Sequence, residues 1–434
     1  MRAPERPPVP PARYAWPAAV AAALLARYAS ESLRHRREDG HGYRLCGEVD
    51  PATPAFMRVA EALTGAPISY GNDVELLING DEIFPAMLET IRGARETVAL
   101  ETYIFWRGDI ANAFADALSE RARAGVDCRV IVDAAGAIQM ERSVLRAMEK
   151  AGVKFCLFRP PKAYSMRQIN NRTHRKILVA DGAVGMIGGV GIAEEWTGNA
   201  EDPEHWRDTH VRVRGPVVRG LVGAFAENWL EATGEVLVGD SWLPDLEEIE
   251  GGGPMQVVRS SATVGDTNVE ALYYLAIAAA KETLDLTAAY FVPRPAFMDA
   301  LAKTAERGVR TRVLVPGAHI DKSFVRTAGR AAYTMLLDAG VEIYEFAPTM
   351  LHAKNLVVDG VWSSVGSVNF DNRSFQLHDE ATLVIQSERF AGLLTDQFER
   401  DLEHADRIDD ARWKRRAPLQ RAGETAMKLA RREL

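Results

Sequence analysis

The chain repeats itself over the length of a whole domain. Residues 114–133, FADALSERARAGVDCRVIVD, and residues 297–316, FMDALAKTAERGVRTRVLVP, are identical at ten of twenty positions without a gap. Upstream, ARETVALETYIF (94–105) is echoed by AKETLDLTAAYF (280–291); downstream, AGVKF (151–155) is echoed by AGVEI (339–343). Each copy then delivers a His-x-Lys-x4-Asp string: His174, Lys176 and Asp181 in THRKILVADG, and His352, Lys354 and Asp359 in LHAKNLVVDG. The order is the same in both halves and the offsets lie between 178 and 188 residues, far beyond the unit length of a solenoid. Whatever architecture one half adopts the other must adopt too, so the chain is expected to be a pseudo-twofold pair sharing one site.

Each half reads as alternating helix and strand. Phe84, Met87, Leu88 and Ile91 recur at helical spacing before the strand-like TVALETYIF. Further helices are expected near 110–124 and 294–307, ended by Gly125 and Gly308, residues suited to a helix C-terminus. The β-branched runs CRVIVD and TRVLVP that follow suit strands covered on both faces. The fold class is therefore α/β, with two similar halves built on mixed sheets. Boundaries follow: an N-terminal extension over 1–68, partly disordered and then helical; a first half over 69–242; an acidic and Gly-rich linker over 243–256; a second half over 257–402; and a basic tail over 403–434. A length of 434 residues is more than one core comfortably supports.

A net charge of −8 argues against a protein that coats nucleic acid through bulk electrostatics. Cys46, Cys128 and Cys156 form no metal or disulfide pattern, and Cys128 and Cys156 sit in apolar runs as small core residues. That usage fits a reducing, cytoplasmic compartment. The apolar stretch near residues 16–27 is too short to span a bilayer, and Glu5 with the Pro-rich lead is poor for a secretion signal.

Residues two apart on a strand share a face, so His174 projects beside Lys176 and His352 beside Lys354. A single histidine in an apolar run is ordinarily a core residue. An adjacent buried lysine changes that reading, because its charge is costly without an anion. Two such pairs facing each other suit an anionic substrate, most economically a phosphodiester. One neutral imidazole can then attack phosphorus while the other donates a proton to the leaving oxygen, with the lysines holding the nonbridging oxygens. No metal and no cofactor is required by this scheme. A carboxylate behind each imidazole would set its tautomer, and Asp208 and Glu380 are the candidates. The turns after the motifs supply Gly188 and Gly189 in one half and Gly366, Ser367 and Asn369 in the other, suited to close approach to phosphate or simply to tight turns. Arg172 and Arg175 are expected either to add positive potential near His174 or to be solvated.

The doubled motif with its trailing Gly-Ser-x-Asn resembles the phospholipase D superfamily. LETYIF, WRDTHVRVRGP, YFVP, TMLHAKNLVVDG and GSVNFDNRSFQL narrow the resemblance to the bacterial cardiolipin synthases, over roughly residues 70–420. It implies a metal-independent site where the motifs meet, a phosphatidyl group moved from one phosphatidylglycerol to another's glycerol hydroxyl, and a phosphohistidine on the way. It also implies attack by His174 and proton donation by His352. A hydrolase acting on lipid, or less readily on nucleic acid, is the alternative; a scaffold with a decayed site is disfavoured by two intact motifs. Two departures stand out. Gly191 replaces the Asn expected after the first motif, and the two N-terminal spans of many relatives are missing, which suggests a span-free branch bound peripherally to the inner face of the cell membrane. The tail, with Arg412, Trp413, Lys414, Arg415 and Arg416 at its start, is expected either to contact an anionic bilayer or to be a solvated or core-packed segment, with LRHRR (33–37) as the second basic cluster.

Overall fold

The computed structural model describes residues 43–160, 171–262 and 266–416. The N-terminal arm with LRHRR and the tail beyond Arg416 lie outside the described residues.

The first half contributes strands β1 (Ser69–Ile78), β2 (Thr97–Thr102), β3 (Asp127–Asp133), β4 (Lys154–Phe158), β5 (Arg172–Thr173), β6 (Ile177–Ala180), β7 (Val184–Gly188) and β8 (Thr209–Arg214). The second contributes β9 (Gly253–Ser260), β10 (Thr283–Ala288), β11 (Arg310–Pro316), β12 (Glu342–Phe346), β13 (Lys354–Val358), β14 (Trp362–Gly366), β15 (His378–Gln386) and β16 (Ala405–Arg407). Their spatial order is β16-β12-β11-β10-β13-β14-β15-β9-β1-β8-β7-β6-β2-β3-β4, with β5 lying off this path against β15. Outward from the β9–β1 junction, the two halves run through the same series of strands, β16 being an extra edge. Parallel pairs (β2–β3–β4 and β10–β11–β12) sit beside antiparallel ones (β6–β7–β8 and β13–β14–β15), so the sheet is mixed.

Side-chain alternation along these strands separates three cores. Val98, Leu100, Val130 and Val132 face the outer helices Asn79–Gly93 and Asp109–Arg123. Leu284, Leu286, Val313 and Val315 face the helices Asn268–Ala279 and Pro295–Glu306. The residues between them on the opposite face, among them Ala99, Ile131, Ile177, Val179, Val357, Val365 and Leu383, meet in one shared core with the helices Val218–Thr233 and Glu388–Leu402. Each half thus buries one face of its sheet against the other half, and this is what holds the two motifs together.

Two boundaries differ from expectation, at the linker and at the tail. Strand β9 begins at Gly253, inside the expected linker, because Gly252 lets the chain close on β1: a Cβ at Gly252 would stand 2.5 Å from the Asn72 nitrogen. The end of the N-terminal extension is helical as expected, over Pro54–Thr64, and its Phe56, Met57 and Ala60 join the outer core of the second half. The expected basic tail starts as folded structure: β16 pairs with β12, and Trp413, 6% exposed, packs on Tyr333 with ring centres 5.2 Å apart. Its indole donates to Thr334 Oγ1 and the Arg416 guanidinium stacks on it, so Trp413 is not available to a bilayer. Cys128 is buried as expected, whereas Cys156 is only half-buried.

Candidate active site

Each motif histidine is fixed by backbone of the opposite half. The His174 N–H donates to the Asp379 carbonyl at 2.8 Å, continuing the β5–β15 pairing, and the His352 N–H donates to the Arg207 carbonyl at 2.7 Å. The side chains cross over in the same way. His174 Nδ1 lies 3.0 Å from Glu380 Oε1, and His352 Nδ1 lies 2.7 Å from Asp208 Oδ2. Both expected carboxylates therefore hold the imidazoles, each reaching from the half that does not own the histidine. An Nδ1 committed to a carboxylate leaves Nε2 for a substrate.

Both lysines are buried, beside the histidines that stand two positions before them. Lys176 Nζ donates to the His174 carbonyl at 2.8 Å, Lys354 Nζ donates to that of His352, and the Lys176 ammonium stands 5.7 Å from the centre of the Tyr103 ring. Burial and the neighbouring Lys354 charge pull Lys176 down to about 7, and burial pulls Lys354 down to about 8. Burial likewise lowers His174 to about 3 and His352 to about 4, against the opposing carboxylates. Burial alone would raise Glu380 and Asp208, but the charge and hydrogen bonds of their histidines hold both well below the usual carboxylate range. The resting site thus combines neutral imidazoles, ionised carboxylates and two poorly solvated ammonium groups, a combination that an incoming phosphate would relieve.

Asp181 and Asp359 do not join this cluster. Each opens the three-residue turn of its hairpin at positive φ (53° and 52°), a conformation that Asp tolerates better than most residues, with Gly182 and Gly360 following at 60° and 62°. The Asp181 carboxylate accepts the N–H groups of Arg95, Glu96 and Thr97, and Asp359 accepts those of Lys281, Glu282 and Thr283. They tie the far ends of β6 and β13 to the starts of β2 and β10.

The glycines after the motifs serve packing. A Cβ on Gly189 would collide with Asp208 Oδ1, and one on Gly188 or Gly366 would collide with the carbonyl of Thr209 or Ala381. Ser367 donates its hydroxyl to Glu380. Asp208, lacking a serine opposite, receives the Trp196 indole N–H at 2.9 Å instead. The same indole explains Gly191: with Ile104 it occupies the space a side chain would need, a Cβ there lying 2.9 Å from Ile104 Cβ. Asn369 is buried, and its Oδ1 accepts no hydrogen bond among the described residues. Arg172 and Arg175 are neither solvated nor aimed at the substrate. Arg172 pairs with Asp133, while Arg175 donates to the carbonyls of Glu380, Ala224 and Ser260 and bridges the halves.

The aromatic walls of the site were not anticipated from the motifs. Tyr103 and His378 stand 5.4 and 5.6 Å from the His174 ring, and Trp196 and Trp206 stand 5.1 and 5.5 Å from the His352 ring. His378 and Trp206 each precede the supporting carboxylate by two positions, so strand periodicity alone could have placed them on the same face. Among the described residues two groups have donors close enough to hold a metal ion, His174–His378–Glu380 within this site and the partly exposed Glu201–Asp202–His205. No helix among the described residues is long and apolar enough to cross a membrane.

Two α/β halves with crossed histidine–carboxylate pairs define a phospholipase D-like enzyme. A family description, "Cardiolipin synthase, PLD-like domain", matches residues 87–202 and 273–402. Cardiolipin synthase from Alkalihalophilus pseudofirmus is 33% identical over 86% of this chain and 75% of its own length, and that of Geobacillus thermodenitrificans is 34% identical over 87% and 76%. In fold the chain is similar to a phosphatidylserine synthase of Haemophilus influenzae, with a TM-score of 0.66 at 14% identity over 87% of this chain and all of that one. The chain belongs to the cardiolipin synthase family, within the phosphatidyltransferase and phosphodiesterase enzymes of phospholipase D type.

Proposed function

We propose that the protein moves a phosphatidyl group from one phosphatidylglycerol to the glycerol hydroxyl of another, through a phosphohistidine. The crossed anchoring of the two imidazoles carries this reading: each Nδ1–H is tied to a carboxylate, so each Nε2 can act on a phosphorus held between the two lysines. His174 Nε2 attacks phosphorus, the P–O bond to glycerol breaks, and the departing oxygen takes a proton from His352. His352, now neutral, removes the proton of the incoming hydroxyl, whose oxygen displaces His174 and breaks the P–N bond. Substrate brings the negative charge that raises His352 and keeps both lysines protonated. The buried ammonium groups stabilise the charge of the transition state where a divalent ion otherwise would. The asymmetry between Ser367 beside Glu380 and Trp196 beside Asp208 supports unequal roles for the two histidines.

The test supplies phosphatidylglycerol to the purified protein, with and without EDTA, and follows cardiolipin, phosphatidic acid and glycerol. Cardiolipin and glycerol are expected in equal amounts, with activity surviving EDTA and a quenched phosphatidyl adduct mapping to His174. Phosphatidic acid as the sole lipid product would make the protein a hydrolase, the alternative reading. An adduct on His352 would exchange the roles of the two histidines.

A further inference from the structure

A phospholipid has to enter a site whose histidines and lysines are buried, so the surface around the mouth of that site matters. Strand ends locate the mouth. Asp133, the last residue of β3, accepts the Thr173 N–H at 3.0 Å, and the loop that follows lies against Tyr103: a Cβ on Gly136 would collide with the Tyr103 carbonyl oxygen. Tyr103 in turn packs on His174. In the other half the loop after β11 carries Asp321, which accepts the Tyr290 hydroxyl at 2.7 Å, and Lys322, whose ammonium lies 5.1 Å from the Tyr290 ring. The Tyr290 carbonyl accepts the Phe370 N–H at 3.0 Å, one residue after Asn369 of the second motif's turn. The two loops are therefore counterparts in the duplication, each packed on a tyrosine at the margin of the site.

The first loop, and the first turn of the helix Ser323–Arg330 that follows the second, each present a large apolar side chain to solvent. Ile138 is 80% exposed, the most exposed large hydrophobic residue described, and Phe324 is 48% exposed. Neither joins any of the hydrophobic cores. Cations stand beside them: Arg142 and Arg146 on the exposed helix after Ile138, and Lys322 two residues before Phe324, none of them ion-paired among the described residues. Glu141 is an acidic neighbour on the first loop, while Asp321 on the second is occupied by Tyr290. Apolar tips flanked by cations suit the interface of an anionic bilayer, where the tips enter the acyl region and the cations meet headgroup phosphates.

We propose that Ile138 and Phe324 form a two-point membrane-docking rim that sets the mouth of the active site onto the surface of an anionic lipid bilayer. The inference rests on the lipid substrate proposed above. With Trp413 packed against Tyr333, the rim rather than the start of the tail supplies the apolar contact, and the pseudo-twofold arrangement lets both halves touch the bilayer at once. Substrate then moves into the site along the bilayer normal without crossing water.

The full chain is tested by flotation with vesicles of phosphatidylglycerol and phosphatidylcholine, as wild type, as Ile138→Glu, as Phe324→Glu and as the double variant. Each single substitution is expected to weaken vesicle binding about tenfold, and the double variant more. Turnover of a short-chain phosphatidylglycerol below its micellar concentration should stay as in the wild type, which also shows that the variants fold. In a second measurement an environment-sensitive fluorophore at Ile138→Cys or Phe324→Cys, in a Cys46→Ala background, should shift its emission to the blue on vesicles. Wild-type binding by the double variant, or no shift from either fluorophore, overturns the rim. Loss of self-association by the double variant, with vesicle binding unchanged, would assign the tips to a second copy of the chain and also overturn it. A wild-type protein that floats with vesicles but turns over no phospholipid would instead refute the proposed substrate.

Discussion

At the scale of single residues the site works by pairing, and the pairing is testable atom by atom. Replacing His174 or His352 with Ala should lower turnover by more than the about 10²–10⁴-fold that general acid–base help contributes, with an unchanged melting temperature as the control. Glu380→Gln and Asp208→Asn keep the shape but remove the charge that favours the imidazolium. Both should lower kcat by about 10²-fold or more in steady-state assays, with a smaller effect on KM, because the carboxylate acts mainly as charge develops on its histidine. The amide oxygen introduced by Glu380→Gln can still accept from Nδ1, so full activity in that variant would show that orientation alone suffices.

At the scale of elements the third residue of each motif behaves differently from the first two. Asp181 and Asp359 open hairpin turns and gather three backbone N–H groups each, about as far from the histidines as their strands allow. Removing such an acceptor leaves backbone donors in need of partners, at about 1–3 kcal/mol. Asp181→Ala and Asp359→Ala are therefore expected to lower the urea midpoint while retaining most turnover at low temperature. Equal loss of activity and stability would instead tie the far end of the strand to the chemistry. Arg175 links elements in the same structural sense, since its guanidinium gathers carbonyls from β15, from the helix Val218–Thr233 and from β9.

At the scale of the whole molecule, two lysines are buried at the junction of the halves before any anion arrives. Lys176 is held at about 7 in the folded chain against 10.5 ordinarily. Between those values the unfolded chain binds a proton that the native one does not, so stability from this group rises with pH from about 7 upward and its full cost is present below 7. Wild type should gain roughly 2 kcal/mol relative to Lys176→Met between pH 7 and pH 9, measured by urea unfolding at both values. The same difference should shrink when inorganic phosphate is bound, because the anion keeps the lysine charged.

The duplication and the doubled motif were legible in the chain itself, and so was the α/β class, because strand and helix periodicities are local properties of contiguous residues. Asp208 and Glu380 could be named as carboxylate candidates because each follows a motif within the same half of the chain. What tertiary structure alone decided is which partner meets which. His174 takes Glu380 and His352 takes Asp208 across more than a hundred residues, since a core shared by Val179, Val357 and Leu383 holds the two halves together. The aspartates of the motifs looked equivalent to the histidines in sequence, yet a strand's length carries them to its other end. For Trp413 the sequence left membrane contact and core packing both open, and Tyr333 and Arg416 enclose it in the second way. Local pattern settles which elements form; the burial that two halves can share settles where their side chains end up.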